Sequence, residues 1–414
     1  MKYQDLRLMN KVRNKLIPDL RFPEFKNKVE WDNEELGQIS EIVRGGSPRP
    51  IQDYLTTRND GLNWLKIADV ASDSKYITKT KEKVIKDALS STREVNAGDL
   101  ILSNSMSFGR PYILKITTCI HDGWIAIRKI SNKTFEDYLY YFISSEESQS
   151  YFQSKAAGAA VKNLNAEIIK LLPIYLPKNK KEQKKIASCL SSLDEMIDAH
   201  SIKLGALKDH KKGLMQNLFP QEGENLPKKR LKGFEKDAEW EEKTIEQVAK
   251  VTTGNKDTQN KVDDGKFPFF VRSQTVERIN SYSFDGEAIL TSGDGVGVGK
   301  NFHYINGKFD FHQRVYCIYD FIKEVSGQFV YMYFSQYFNE RVMRMSAKNS
   351  VDSVRMAMIT EMPISLPSKK EQEKIADCLS SLDDLITAQA EKIEQLKLHK
   401  KGLMQGLFPK VNDN

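Results

Sequence analysis

Cysteine is scarce in this sequence of 414 residues, which contains only Cys119, Cys189, Cys317 and Cys378. They lie far apart, and no two of them form a Cys-x-x-Cys pair. Disulfide frameworks need cysteines that can pair, and zinc ribbons need closely spaced pairs. The spacing therefore supports neither kind of site, and we expect four reduced thiols.

Long apolar runs are missing too. Apolar residues make up 40% of the chain and charged residues 29%. The apolar stretches stay far below the roughly 20 residues that a membrane-spanning helix needs. Residues Met1–Asn10 lack the pattern of a signal peptide. We expect a soluble, intracellular, cytoplasmic protein with no membrane association.

The short motifs of several enzyme classes are absent. There is no Pro-Pro, which an amino-methyltransferase loop would require, and no Gly-x-Ser-x-Gly or His-Glu-x-x-His. Pro18-Asp19 and Glu24 superficially resemble a nuclease motif, but four intervening residues are too few to place the acids on separate strands. The glycine-rich Ser292–Lys300 fits neither a phosphate loop nor a dinucleotide-binding turn. We therefore expect no catalysis by this chain, and no cofactor or metal bound to it.

One stretch, in contrast, is present twice. Residues 181–220 and 370–409 align without a gap and are identical at 27 of 40 positions. In both copies apolar residues recur at alternating steps of four and three, a period of 3.5. This period predicts two long helices in a left-handed coiled coil, with each copy as the partner of the other.

The predicted seam of this coiled coil has ten positions in each copy. In the first they are Ile186, Leu190, Leu193, Ile197, His200, Leu204, Leu207, Lys211, Leu214 and Leu218. In the second they are Ile375, Leu379, Leu382, Ile386, Gln389, Ile393, Leu396, Lys400, Leu403 and Leu407. Polar residues occupy the same two places in both. A functional role and a role in fixing the register are both open for them, and the coiled-coil pattern favours the second.

The segments that precede the long helices also correspond, although they share little sequence. Phe25, Trp31 and Gly45 match Phe234, Trp240 and Gly254 at one offset of 209. Alternating apolar runs between turns predict strands, and an aromatic-rich helix follows in each segment. The predicted strands are Leu62–Ala68, Asp99–Ser103, Trp124–Ile130, Phe267–Arg272, Ala288–Thr291 and Arg314–Tyr319, with exit strands at Leu172–Pro177 and Met362–Pro367. The predicted helices are Phe135–Lys155 and Gly327–Ser346.

These patterns predict an α+β or α/β fold with two pseudo-repeated globular domains and two long helices. The predicted divisions are residues 1–177 for an arm and the first domain, and 178–220 for the first long helix. Residues 221–367 form a linker and the second domain, and 368–414 the second long helix.

Polar loops that follow equivalent strands supply the candidate binding residues. The net charge of +7 and pI of about 8.9 permit a polyanionic partner. Lys, Arg, Asn, Gln and bare loop amides suit phosphate oxygens and base edges. The candidates are Ser103, Asn104, Ser105, Ser107, Arg110, His121, Asp122, Trp124, Lys162, Asn163, Arg272, Ser273, Gln274, Ser292, Asp294, Lys300, His312, Gln313, Arg314, Lys348 and Asn349.

Several candidates also have a structural explanation. A tight hairpin accounts for Ser292–Lys300, a structural turn accounts for His121 and His312, and solvated turns account for Lys162 and Lys348. Since Ser103–Arg110 and Ser292–Lys300 occupy matching positions in the two domains, binding is favoured for that pair.

Across nearly its whole length the chain resembles the specificity subunit of a type I restriction-modification system. The duplicated exit and helix (KKEQKKIASCLSSLDEMIDAH, then HKKGLMQNLFP), the LRFPEF entrance and the FPFFVRSQTVERINSYSFDGEAILTSGDGVGVGK body carry this resemblance. It implies two target-recognition domains, each of which reads one half of a bipartite site in double-stranded DNA. It also implies that the two long helices form an antiparallel pair and act as a spacer.

The resemblance further implies protein partners. Two DNA-methyltransferase (modification) subunits would use S-adenosylmethionine, and restriction (translocase) subunits would use ATP and Mg²⁺, so that none of these cofactors binds this chain. The alternative is a coiled-coil adaptor that binds proteins without reading bases.

Overall fold

The computed structural model describes residues 16–26, 29–71, 74–104, 109–156, 164–221, 224–345 and 353–410. The chain folds into two compact units. Unit 1 comprises the chain up to His200 and again from Lys392, and unit 2 comprises Ser201–Glu391. Each unit is described by itself below.

The first half of the chain supplies most of unit 1. In chain order its elements are β1 (Asp32–Glu35), α1 (Leu36–Ile39), β2 (Glu41–Arg44), β3 (Leu55–Thr56), β4 (Leu62–Leu65), β5 (Tyr76–Ile77), β6 (Glu82–Val84), β7 (Arg93–Val95), β8 (Leu100–Ser103), β9 (Pro111–Leu114), β10 (Thr118–Ile120), β11 (Trp124–Arg128), α2 (Glu136–Ile143), α3 (Glu146–Ala156), α4 (Ala166–Lys170), β12 (Pro173–Leu176) and α5 (Lys180–Leu218). The strands form sheets in the orders β3-β6-β4-β10-β7, β2-β11-β8-β9-β5 and β1-β12. Helices α2 and α3 pack on the β2-β11-β8 side in one apolar core.

The second half of the chain repeats this plan with fewer strands. Its elements are β13 (Glu241–Thr244), α6 (Ile245–Val248), β14 (Lys250–Thr253), β15 (Phe267–Phe270), β16 (Glu277–Ile279), β17 (Phe284–Ser292), β18 (Phe302–Phe311), β19 (Val315–Tyr319), α7 (Gly327–Met345), α8 (Met356–Thr360), β20 (Pro363–Leu366) and α9 (Lys369–Leu407). The strand orders are β14-β19-β17-β18-β15-β16 and β13-β20. The order β2-β11-β8-β9 in unit 1 therefore has its counterpart in β14-β19-β17-β18.

The predicted α+β fold, with two repeated domains and two long helices, is confirmed. Each predicted strand overlaps an observed one, including the exit strands, which are β12 and β20. The predicted helix Phe135–Lys155 is interrupted, because α2 ends before Ser144 and α3 begins at Glu146. The Ser144 hydroxyl donates to the Tyr140 carbonyl at 2.7 Å, and serine side chains of this kind compete with the helical backbone.

The matched glycines Gly45 and Gly254 occupy the same tight position in both units. A Cβ atom on Gly45 would lie 2.1 Å from the His121 carbonyl oxygen. One on Gly254 would lie 2.1 Å from the Phe311 carbonyl oxygen. Only glycine allows this close approach of two backbones.

The long helices α5 and α9 have 39 residues each, a length of about 58 Å. All twenty predicted seam positions are buried or half-buried. Apolar residues off the stripe, such as Ile202 and Leu398, are exposed. The 3.5-residue period therefore identified the packed face correctly.

The paired halves of the helices run antiparallel within each unit. In unit 1, Lys400 Nζ contacts Asp194 Oδ1, and in unit 2, Lys211 Nζ lies 2.6 Å from Asp383 Oδ1. The two ion pairs are equivalent, because Asp194 and Lys211 of α5 correspond to Asp383 and Lys400 of α9 in the duplicated stretch. In unit 1 the lysine comes from α9, and in unit 2 it comes from α5. The polar seam residues Lys211 and Lys400 thus each make an ion pair with the other long helix, and their role in fixing the register stays a prediction.

A buried ion pair fastens the entrance of each unit to a long helix. Arg21 donates two hydrogen bonds to the carboxylate of Glu182, at 2.6 and 2.8 Å. Arg230 contacts the carboxylate of Glu371 in the same two-pronged way. The four side chains are at most 8% exposed.

The units divide the chain differently from the predicted segments. The sequence pattern set residues 178–220 and 368–414 apart as separate helices, whereas each helix gives its first half to one unit and its second half to the other. The apolar faces of the helix ends explain this, because they are buried in the domain cores. Ile186 and Leu407 belong to the core of unit 1, and Met215 and Ile375 to that of unit 2.

Within the described ranges, no helix combines the length and the apolar composition that a membrane span requires.

Candidate nucleic-acid interface

Two equivalent hairpin loops define the candidate surface. The loop between β8 and β9 contains Arg110, and the loop between β17 and β18 contains Lys300. The strands before them are in the same register, because Ser103 pairs with Trp124 and Ser292 with Val315. Gly109 and Gly299 both have positive φ, at 71° and 66°. Arg110 and Lys300 therefore follow equivalent glycines and occupy equivalent positions, as their sequence context predicts.

A histidine turn lies beside each loop. The Nδ1 atom of His121 accepts a hydrogen bond from the Gly123 N–H at 2.7 Å. The Nδ1 atom of His312 accepts one from the Arg314 N–H at 2.9 Å. Burial lowers the pKa of both imidazoles, so both are neutral at pH 7. The structural role in a turn therefore explains the Nδ1 atom of each histidine, which accepts a hydrogen bond within the turn.

Several predicted contact residues are buried in the domains. The indole of Trp124 is fully buried in the core beside Tyr112, with ring centroids 5.8 Å apart. Trp124 is therefore not part of the candidate interface, because its side chain packs in the apolar core. Four other candidates are buried as well: Ser103, Asn104, Ser292 and His312.

In unit 1 the histidine turn carries a polar cluster around Asp122. Ser47 donates a hydrogen bond to the Asp122 carboxylate at 2.9 Å, and Arg49 lies 3.5 Å from it. The Arg44 Nε donates to the Asp122 carbonyl at 3.1 Å. Although burial raises it, the Ser47 hydrogen bond and the two arginine charges leave the pKa of Asp122 below its usual value. Arg49 is 83% exposed and remains available to an anionic ligand.

In unit 2 the corresponding cluster surrounds Asp294, on the glycine-rich loop. Arg272 lies 2.9 Å from its carboxylate, and Arg314 lies 3.7 Å from it. Both guanidinium groups are about half exposed or more, at 47% and 66%. Next to Arg314, Gln313 donates to Asp257 at 3.3 Å. Arg272, Asp294, Gln313 and Arg314 are thereby brought together from separate parts of the sequence.

The other candidates fall into two groups. Ser273 and Gln274 follow Arg272, and the Ser273 carbonyl lies 3.2 Å from the His303 ring. The rest lie outside the described residues: Ser105, Ser107, Lys162, Asn163, Lys348 and Asn349. The described residues nearest to them in sequence still touch the hairpin loops, since Leu164 N–H donates to Asn104 and Val354 N–H to Gly293.

Sequence patterns missed the residues that surround the two aspartates. Arg44 ends β2, Ser47 and Arg49 follow it, and Asp257 follows β14. Their only sequence signal is their position just before or after the matched glycines Gly45 and Gly254. That signal could have found them, because both glycines bring the chain against a histidine turn.

No group of three or more His, Cys, Asp or Glu is placed to hold a metal ion within the described ranges. Burial raises the pKa of the Cys119 thiol to about 11 and that of Cys317 to about 12. Both thiols are therefore protonated at neutral pH and poorly suited to nucleophilic chemistry.

Comparison with known proteins gives one consistent family. The sequence profile of the type I restriction modification DNA specificity domain matches residues 28–208 and 237–398. The chain is 26% identical to the type I restriction enzyme MjaVIII specificity subunit of Methanocaldococcus jannaschii, over 94% of this chain and 93% of that protein. It is also 28% identical to the EcoDI specificity subunit of Escherichia coli, over 41% of this chain and 37% of that protein.

A solved structure shares the fold. The crystal structure of the S subunit of a type I restriction-modification system from M. genitalium superimposes with a TM-score of 0.65 and 14% sequence identity. The match covers 96% of this chain and all of that one.

Proposed function

Since the chain belongs to the type I restriction-modification DNA specificity family, whose members are non-catalytic DNA-recognition subunits, we propose that it reads a bipartite target in double-stranded DNA. Each unit reads one half-site. The observation that carries the proposal is the repeated surface: both units keep the hairpin loop, its positive-φ glycine, the cation after it and the histidine turn.

Different residues around this shared surface would give the two half-sites different sequences. Unit 1 surrounds its histidine turn with Ser47, Arg49 and Asp122, and unit 2 surrounds its own with Arg272, Asp294 and Arg314. Arginine and lysine neutralise phosphates and position the protein, whereas bidentate arginine, glutamine and acidic groups distinguish base edges. We assign phosphate positioning to Lys300 and base reading to the groups around Asp122 and Asp294.

The long helices set the distance between the half-sites. One half of each helix belongs to unit 1 and the other half to unit 2. Each helix spans about 58 Å at 1.5 Å per residue. In this proposal the length of the helices determines the length of the non-specific spacer between the two half-sites.

The complex supplies the chemistry that this chain lacks. Two methyltransferase subunits that use S-adenosylmethionine would be directed to the target, together with restriction (translocase) subunits that use ATP and Mg²⁺. The family membership and the relatives' names support this assignment.

The test is a pair of single substitutions, Arg110→Ala and Lys300→Ala, in the chain assembled with its methyltransferase subunits. Removing a phosphate contact should lower the slope of log affinity against log salt by about 1. Removing a base contact should relax one position of one half-site, which methylome sequencing detects. We expect Lys300→Ala to lower the salt slope and leave the motif intact, and Arg110→Ala to relax one position of the half-site read by unit 1.

Lys129→Ala and Lys250→Ala provide matched controls. Lys129 follows β11 and Lys250 begins β14, at the opposite ends of these strands from the histidine turns, and both are well exposed. They should leave affinity and motif unchanged. Normal affinity and an intact motif in both the Arg110 and Lys300 variants would overturn the assignment of this surface, and binding without any base preference would favour the adaptor alternative.

A further inference from the structure

The tip of the glycine-rich loop carries an apolar side chain in full contact with solvent. Val296 is 98% exposed, whereas Val298, two residues later, is buried in the core of unit 2. Single exposed apolar residues are common on protein surfaces, so exposure alone has no functional meaning. The construction of the loop around Val296 distinguishes it from such cases.

Glycines hold the loop in a conformation that other residues could not adopt. Gly295 has φ +80°, and a Cβ on Gly297 would lie 2.0 Å from the Asn301 side chain. The Gly295 carbonyl accepts the Val298 N–H at 3.2 Å, and the Gly297 carbonyl accepts the Asn301 N–H at 2.9 Å. Asn301 in turn donates to the Arg272 carbonyl at 3.0 Å. The loop is therefore braced from inside, and Val296 is presented outward by an ordered backbone.

Charged groups surround the base of this tip. Asp294 precedes Val296 by two residues and binds Arg272 and Arg314. Lys300 is exposed at the other end of the loop. An apolar tip between cations suits a groove of nucleic acid, whose walls are phosphates and whose floor consists of base edges.

Valine cannot form a hydrogen bond, so it can recognise only an apolar feature of the floor. In the major groove that feature is the C5-methyl group of thymine. Side chains that wedge between base steps from the minor groove are typically larger, such as Phe, Leu, Ile and Met. Valine is also restricted at χ1, so little side-chain entropy is lost on contact.

We propose that Val296 is a specificity-determining residue that contacts the methyl group of one thymine in the half-site read by unit 2. The proposal rests on the proposed DNA-reading function, and it specifies the base and the chemical group that Val296 recognises.

The experiment uses the assembled complex and a DNA duplex that contains the target sequence of this complex, as identified by methylome sequencing. Each thymine of the unit 2 half-site is replaced singly by deoxyuridine, which lacks only the methyl group. In the unsubstituted protein one of these replacements should weaken binding about fourfold, because it removes one buried methyl group from the interface. In Val296→Ala the same replacement should have an effect of less than about twofold, because the partner of the methyl group is gone.

Val29→Ala is the matched control, since Val29 is an exposed valine in unit 1. It should retain the full deoxyuridine effect. Equal deoxyuridine effects in Val296→Ala and in the unsubstituted protein would overturn the proposal, as would a half-site without any methyl-sensitive thymine. A complex with no site-specific binding at all would instead refute the proposed function itself.

Discussion

Glu41 binds Lys129 in unit 1, and Lys250 binds Asp320 at the equivalent place in unit 2. The acidic and basic residues exchange places between the two units. Both pairs nevertheless join the start of one strand, β2 or β14, to the end of its neighbour in the sheet, β11 or β19. Lys129 and Asp320 also share a positive φ, at 49° and 54°. Single positions in the two units thus keep their geometry while their residue types change, and surface chemistry can differ between half-sites in the same way.

The histidine turns lead to a prediction about pH. Burial depresses the pKa of His121 and His312 in the folded protein, so the unfolded chain binds more protons than the folded one just below pH 6.5. Their contribution to stability is therefore complete above the unfolded value of about 6.5 and decreases as the pH falls toward the folded pKa values. We expect the melting temperature to decrease between pH 7 and pH 5.5.

A double variant separates this effect from other titrations. In His121→Asn with His312→Asn, the asparagine oxygen can accept the N–H of the residue two positions later, as in an Asx turn, but it does not titrate. This variant should lose less stability on acidification than the parent protein. Replacement by leucine removes the acceptor and should cost about 1 kcal/mol per turn at pH 7. Identical pH profiles for the parent and the asparagine variant would contradict the role assigned to these histidines.

At the scale of elements, the ends of the long helices belong to the domain cores as well as to the helix pair. Glu182 and Glu371 stand near the first residues of α5 and α9, and each receives a buried arginine from an entrance segment. Breaking a buried ion pair by removing one charge typically costs about 3–5 kcal/mol, because the other charge stays buried without its partner. The entrance arginines therefore contribute strongly to the attachment of the entrance segments.

Glu182→Gln should accordingly destabilise unit 1 by about 3 kcal/mol. Urea unfolding followed by tryptophan fluorescence measures this in a Trp240→Phe background, where Trp31, Trp64 and Trp124 all report on unit 1. The control is Glu167→Gln, which breaks the exposed pair with Lys170 and should cost less than about 1 kcal/mol. Equal urea midpoints for the two variants would show that the buried pair has no special role.

At the scale of the whole molecule, the helices pass from one unit to the other at defined residues. The change occurs after His200 in α5 and after Glu391 in α9. The pairs Lys400–Asp194 and Lys211–Asp383 lie on either side of these residues. A heptad inserted at both places would lengthen the helices and leave each pair intact within its unit.

We expect this double insertion, after His200 and after Glu391, to lengthen the non-specific spacer of the DNA target by about three base pairs. Seven residues add about 10 Å of helix, and each base pair adds about 3.4 Å of duplex. Methylome sequencing reads the new spacer directly. An insertion in α5 alone should instead disturb the seam and destabilise the protein, and an unchanged spacer in the double insertion would refute the role of the helices as a ruler.

Much of the architecture was predictable because it depends on residues close together in the chain. The 3.5-residue period placed all twenty seam positions on the packed side of α5 and α9. The duplicated glycines, exit strands and hairpin loops were recognised because each is a local pattern that occurs twice. The candidate site was predictable only in outline. The sequence located the two loops and the two histidines, but it also placed Trp124 at the surface, whereas its side chain is buried.

The sequence by itself determined two repeated domains, two long helices and the family to which they belong, since periodicity and duplication are properties of neighbouring residues. Only the tertiary structure decided which polar groups meet. Ser47 reaches Asp122 across 75 positions of sequence, and Arg272 reaches Asp294 across 22. It also decided that each long helix is shared between two cores and that Val296, rather than Val298, points into solvent. Such facts depend on how strands and helices pack, and no spacing along the chain encodes them locally.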